Sequence, residues 1–125
     1  MVNLCQEYQG PTKKYARLGI QQLWLPTVDH CVPAVEDLES AVSFIGKCQS
    51  EGKKVYVHCR AGHGRSAAVV LAWLWSKDPN ADGKRLNEHL CSLRDVRRTL
   101  WKQPSIQDFH SRLLERMADE DVGSD

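Results

Sequence analysis

Residues 55–66 read Val-Tyr-Val-His-Cys-Arg-Ala-Gly-His-Gly-Arg-Ser, and from Ala67 to Trp75 every residue is apolar. This stretch constrains the fold more than any other. The β-branched run Val55–His58 shows no polar alternation, which predicts a strand buried on both faces. The length and alanine content of Ser66–Ser76 predict a central buried helix. Between them Gly62 and Gly64 make a tight loop. A strand–loop–helix of this kind turns successive backbone N–H groups inward and aims a helix N-terminus at the loop centre, which favours an anion there. Two anions suit the same place: a phosphate dianion and the thiolate of Cys59.

The rest of the chain alternates in the same way. Val2–Cys5 reads as a strand, Tyr15–Leu18 as a short helical turn, and Ile20–Leu25 as a second strand stopped by Pro26. Val35, Leu38, Val42 and Ile45 recur at helical spacing and predict an amphipathic helix over 34–49. A further helix over 84–94 would turn Leu86, Leu90 and Leu93 to one face. The last, opened by Pro104-Ser105, would turn Ile106, Phe109, Leu113 and Leu114 inward. Strands alternating with helices imply an α/β fold, a central mainly parallel sheet flanked by helices. We read one domain over residues 1–118, followed by an acidic flexible tail over 119–125.

Composition removes several classes of function. Net charge is +1 over 125 residues, so bulk electrostatics give no case for nucleic-acid binding and anion preference has to be local. Five cysteines, an odd set without a C-x-x-C pair, argue against a disulfide framework and for a reducing, intracellular setting. The five histidines lack ligand spacing, so neither a metal nor another cofactor is expected. No apolar run reaches the roughly 18 residues of a membrane span.

The chemistry centres on Cys59 and Arg65. The nucleophile is the thiolate, and a helix N-terminus with nearby cations lowers a cysteine pKa from about 8.5 toward roughly 3.5–7.5. Arg65, six positions on, offers a planar fork for two phosphate oxygens, which lysine cannot match. Ser66 is placed to donate to the sulfur when it leaves. The plainer reading, a structural cysteine beside a surface arginine, does not explain why C-x-x-G-x-G-R-S sits between a strand and an apolar helix.

His58-Cys59-x5-Arg65-Ser66 resembles the H-C-x5-R-S/T signature of the protein-tyrosine phosphatase superfamily. Within it the chain is most similar to the small dual-specificity branch, especially the phosphatidylglycerophosphate phosphatases related to the mitochondrial enzyme. Val2-Asn-Leu-Cys-Gln-Glu-Tyr8, Leu25-Pro-Thr-Val-Asp29 and His58–Ala67 carry that likeness. The resemblance implies a dual-specificity-phosphatase-like domain. It lacks the N-terminal edge strand and helical segment that family domains place before the stretch matching Val2–Leu4, or is part of a longer chain. It also implies that Asp29 is the general acid for the leaving oxygen and then the base for water. A turn or capping aspartate before Pro33 is the structural alternative, and Asp37 the rival acid. Arg60, Ala61, Gly62, His63, Gly64 and Arg65 would bind phosphate, with His58 supporting the loop. Glu7 matches a polar position near that loop and is read as structural.

Basic residues at the first and fourth loop positions, Arg60 and His63, resemble those of lipid-phosphate phosphatases, where added cations meet further anionic groups of a headgroup. Alternatively, Arg60 faces solvent and His63 merely fits the loop. Trp73 and Trp75 read as core, Trp24 and Trp101 as core or pocket rim. Arg94, Arg97, Arg98 and Lys102 form either a solvated face or a basic surface for peripheral contact with an anionic membrane. The expected partner is therefore a phosphorylated substrate, either a lipid headgroup or a phosphoprotein. A phosphate-binding module without turnover is the reading from another class. Localisation, cytoplasmic or mitochondrial, stays open.

Overall fold

The computed structural model describes residues 1–28, 31–59 and 64–123, with side chains through Asp119. Three parallel strands form the sheet: β1 (Val2–Cys5), β2 (Leu23–Thr27) and β3 (Val57–His58), in the order β2-β1-β3. The helices are α1 (Thr12–Arg17), α2 (Val35–Ser50), α3 (Arg65–Lys77), α4 (Gly83–Leu93) and α5 (Pro104–Gly123), with a 3-10 turn at Leu100–Lys102 before α5. This is the α/β class with a parallel sheet that the alternating pattern implied.

The central strand β1 is buried along its whole length. Val2 and Leu4 join Leu25 in a core with Leu38, Ala41 and Ile45 of α2 and Ala68, Val69, Leu71 and Ala72 of α3. Helix α3 is the hub, buried at eight of its thirteen positions. Its small residues let β1, α2, α4 and α5 pack closely around it. Trp75 is 4% exposed, as a core residue should be, whereas Trp73 lies half-buried at the periphery under the ammonium of Lys77, 4.4 Å from the ring centre.

Four expectations change. Strand β3 is not buried on both faces: β1 is its only sheet neighbour among the described residues, and Tyr56 is 65% exposed. Val55 and Val57 instead help line an open groove of about 470 Å³ with Ile45, Val70 and Trp73. Pro26 does not end β2 but lies within it. The pairs Asn3–Trp24 and Cys5–Thr27 set two steps on β1 against three on β2, so an extra residue bulges there. An edge strand tolerates that proline because its missing N–H would face away from the sheet. Leu93 is 69% exposed, since α4 buries Gly83, Asn87 and Leu90 instead. Leu114 is 40% exposed, because α5 turns Ile106 and Phe109 inward and Leu113 only partly. The helical backbone of α5 continues to Gly123.

Candidate active site

Parallel strands release their chains at the same edge, and ligands of open α/β sheets bind beyond that edge. Here Val2 pairs with Val57 and Asn3 with His58, so the segment leaving β1 and the segment leaving β3 emerge side by side. Cys59 follows β3, and Gln6, Glu7 and Tyr8 follow β1. Thr27 and Val28 end β2 at the same edge. Helix α3 begins at Arg65 with Gly64 as its N-cap, so its first turn faces this junction.

The sulfur of Cys59 lies 3.2 Å from the Ser66 hydroxyl and accepts from the Ser66 backbone N–H at 3.4 Å. A first-turn N–H aimed at the sulfur, with a hydroxyl beside it, favours the thiolate, the nucleophilic form of a cysteine. Ser66 is 5% exposed and Arg65 is 3% exposed, so both act from inside the protein.

Burial of the Arg65 guanidinium demands compensation. Its Nη1 donates to Glu7 Oε1 at 2.7 Å and to the Thr27 carbonyl at 2.9 Å, and Nη2 donates to Glu7 Oε2 at 3.2 Å. The two-point grip fixes the plane of the fork as well as its position. It also ties the ends of β1 and β2 to the first turn of α3. The hydrogen bond from Arg65 holds the Glu7 carboxyl far below the usual carboxylate range, at about 2.

His58 stacks on Tyr56, ring centres 5.3 Å apart. Its Nε2 is buried and has no hydrogen-bond partner among the described residues. Burial lowers its pKa, and the positive N-terminus lowers it further, so the ring is neutral near pH 7.

Of the residues predicted from sequence, Cys59, Ser66, Arg65, Gly64 and His58 are thus brought to one end of β3 and α3. Asp29, Arg60, Ala61, Gly62 and His63 lie outside the described residues. Asp37, the rival acid, sits in the first turn of α2, where its charge suits the helix dipole. Trp24 is 37% exposed and donates from Nε1 to the Cys5 carbonyl at 2.7 Å, beside the junction.

Sequence reasoning undervalued Glu7, which is a direct partner of Arg65. The signal was present: an acid placed immediately after a central parallel strand, at the edge where the nucleophile also emerges. The carbonyl of Thr27 left no signal, because a backbone acceptor carries no residue identity. Asn87 was also missed. It is 1% exposed, donates to the Arg97 carbonyl at 3.0 Å and accepts from the Trp101 N–H at 3.0 Å, organising the turn that leads into α5.

Residues 1–114 match the family model described as the dual specificity phosphatase catalytic domain. The human protein named phosphatidylglycerophosphatase and protein-tyrosine phosphatase 1 is 30% identical over 131 residues. That match takes in 93% of this chain and 61% of the relative, so the chain spans less than two thirds of the relative's length. The crystal structure of PTPMT1 superposes with a TM-score of 0.80 at 31% identity, over 94% of this chain and 79% of that one. A crystal structure of PTPMT1 in complex with PI(5)P gives 0.78 at 30% identity, over 93% and 78%.

Proposed function

Because the chain belongs to the dual specificity phosphatase catalytic-domain family, we propose that it hydrolyses phosphomonoesters through a phosphocysteine formed on Cys59, with a phospholipid headgroup as substrate. The observation that carries this reading is the arrangement at the start of α3. The Cys59 sulfur is held by the Ser66 hydroxyl and N–H, next to an arginine whose fork is fixed by Glu7.

In the proposed reaction the Cys59 thiolate attacks phosphorus and the ester P–O bond breaks. Asp29 delivers a proton to the departing alkoxide. Arg65 and the backbone N–H groups of residues 60–65 balance the charge on the equatorial oxygens. Water, deprotonated by Asp29, then attacks the phosphocysteine. The S–P bond breaks, and the Ser66 hydroxyl stabilises the sulfur as it leaves.

The lipid reading draws support from Arg60 and His63 in the loop. It draws further support from relatives whose names carry phosphatidylglycerophosphatase activity and whose solved complex holds a phosphoinositide. A protein phosphatase is the second reading, favoured by the other half of the human relative's name.

The test is phosphate release from a soluble aryl phosphate in EDTA by wild type, Cys59→Ser and Asp29→Ala. It is then repeated with phosphatidylglycerophosphate and a phosphotyrosyl peptide. Turnover lost in Cys59→Ser, and lost most in Asp29→Ala when the leaving group is poor, supports the mechanism. The ratio of lipid to peptide turnover decides the substrate. Phosphate binding without any turnover by wild type sinks the proposal and leaves a binding module.

A further inference from the structure

If the substrate is a lipid headgroup, the mouth of the site must meet a bilayer. The inference below therefore rests on the lipid reading above. From Tyr8 to Val28 the chain carries three cations, Lys13, Lys14 and Arg17, and no carboxylate, although the whole protein is nearly neutral at +1. All three cations are exposed and form no ion pair with any described residue. The acid just before this stretch, Glu7, is neutralised by Arg65.

The same segment holds four of the seven large apolar side chains exposed among the described residues. Tyr8 is 65% exposed, Leu18 64%, Val28 54% and Trp24 37%. Helix α1, which carries the cations, buries no residue at all. Exposed aromatic and aliphatic groups among unpaired cations are the composition of a surface that settles at an anionic membrane interface.

Its position is fixed relative to the site. The Asn3 side-chain amide donates to the Tyr8 carbonyl and to Gln22 Oε1, both at 3.1 Å, and so pins both ends of the α1 loop to the central strand. Tyr8 directly follows Glu7 and Val28 directly follows Thr27, the two residues that clamp Arg65. The apolar groups at the ends of the segment thus flank the phosphate-gripping arginine, and the cations lie between them along the chain. The other basic run, Arg94 to Lys102, is interrupted by Asp95.

We infer that the face formed by Tyr8, α1 and Val28 docks the protein on an anionic phospholipid bilayer, presenting the mouth of the site to headgroups in that bilayer. Charge complementarity selects the occupant: three uncompensated cations favour an anionic leaflet over a zwitterionic one.

The experiment measures partitioning of the full chain, as Cys59→Ser, into phosphatidylcholine vesicles with and without phosphatidylglycerol. The comparison is with Lys13→Gln/Lys14→Gln/Arg17→Gln and with Arg94→Gln/Arg97→Gln/Arg98→Gln. The expected result is salt-sensitive binding to the anionic vesicles only. It falls roughly a hundredfold in the α1 triple variant, as three lost cation contributions imply. Tyr8→Ser/Val28→Ser weakens binding without changing its salt dependence. On the Cys59 background the α1 triple variant keeps its turnover of soluble aryl phosphate and loses turnover of lipid phosphate in vesicles. Equal partitioning of wild type and the α1 variant overturns the inference, as does a loss that follows the Arg94 triple instead. So does an effect of the α1 triple confined to acidic phosphopeptides. Vesicle binding that depends on α1, with no lipid turnover, upholds docking and overturns the lipid-substrate reading alone.

Discussion

The carboxylate of Glu7 grips the guanidinium of Arg65 at two points, 2.7 Å from Nη1 and 3.2 Å from Nη2, across 58 residues of sequence. The acid is 39% exposed and the base 3%, so the pair reaches from the surface into the interior. The two-point grip orients the guanidinium, as the proposed grasp of two phosphate oxygens requires. Glu7→Gln is expected to lower kcat/KM on an aryl phosphate by about tenfold to a hundredfold with little change in fold. The folded pKa of Glu7 is depressed to about 2, so the clamp is complete above the ordinary carboxylate value and is lost only as pH falls toward that number. The deficit of Glu7→Gln against wild type should therefore be constant between about pH 5 and 8, as a pH–rate profile of both proteins would reveal.

Ser66 touches the sulfur through both its hydroxyl and its backbone N–H. Ser66→Ala removes the hydroxyl only. Attack by Cys59 should survive, while release of sulfur from the phosphocysteine slows by roughly tenfold to a hundredfold. Rapid-quench kinetics should then show a burst of product followed by a slow steady state. A uniformly slow reaction with no burst contradicts this assignment.

The pKa of His58 is lowered by burial, so the unfolded chain binds this proton more readily than the folded one. Stability is therefore lost as pH drops below the ordinary histidine value of about 6.5. His58→Gln cannot take up the proton. Its melting temperature should fall less than that of wild type between about pH 7 and 5, a comparison that scanning calorimetry makes directly.

Two glycines test the packing in opposite directions. A Cβ on Gly83 would lie 2.5 Å from Trp75 Cη2. That ring cannot retreat, being stacked on His110 with ring centres 3.8 Å apart and hydrogen-bonded from Nε1 to the Ala81 carbonyl at 3.0 Å. Gly83→Ala should destabilise by about 1–3 kcal/mol. A Cβ on Gly46, inside α2, meets only Trp73 at an ordinary 3.8 Å. Gly46→Ala should stabilise by about 0.5–1 kcal/mol through helix propensity. Urea denaturation of both variants reads the two signs.

Asn87→Ala leaves the Arg97 carbonyl and the Trp101 N–H without their partner in a partly buried place. A cost of about 2–3 kcal/mol is expected, with loss of the turn before α5. Equilibrium unfolding gives the cost. Increased proteolysis between residues 94 and 104 would locate it.

The local elements were readable because each depended on the period of a few neighbouring residues. The spacing of Val35, Leu38 and Ile45 sets the buried face of α2. The unbroken apolar run after Arg65 marks α3 as the hub, and Val2–Cys5 reads as the strand it is. The Cys-to-Arg spacing and the glycines between them likewise belong to one short stretch of chain.

Tertiary structure decided what depends on partners distant in sequence. Whether Val55–His58 is a central or an edge strand turns on what pairs with it, and the apolar run is the same in either case. Pro26 reads as a stop until the strand carrying it proves to be an edge with a bulge. Leu93 and Leu114 satisfy their helical pattern yet face solvent, because α4 buries its Asn87 and Leu90 side and α5 its Ile106 and Phe109 side instead. Most telling is Arg65, whose type and place the sequence determined by itself. Its clamp by Glu7 and the Thr27 carbonyl had to await the parallel register that brings three chain segments to one edge, because a hydrogen bond between residues 58 positions apart leaves no trace in local periodicity.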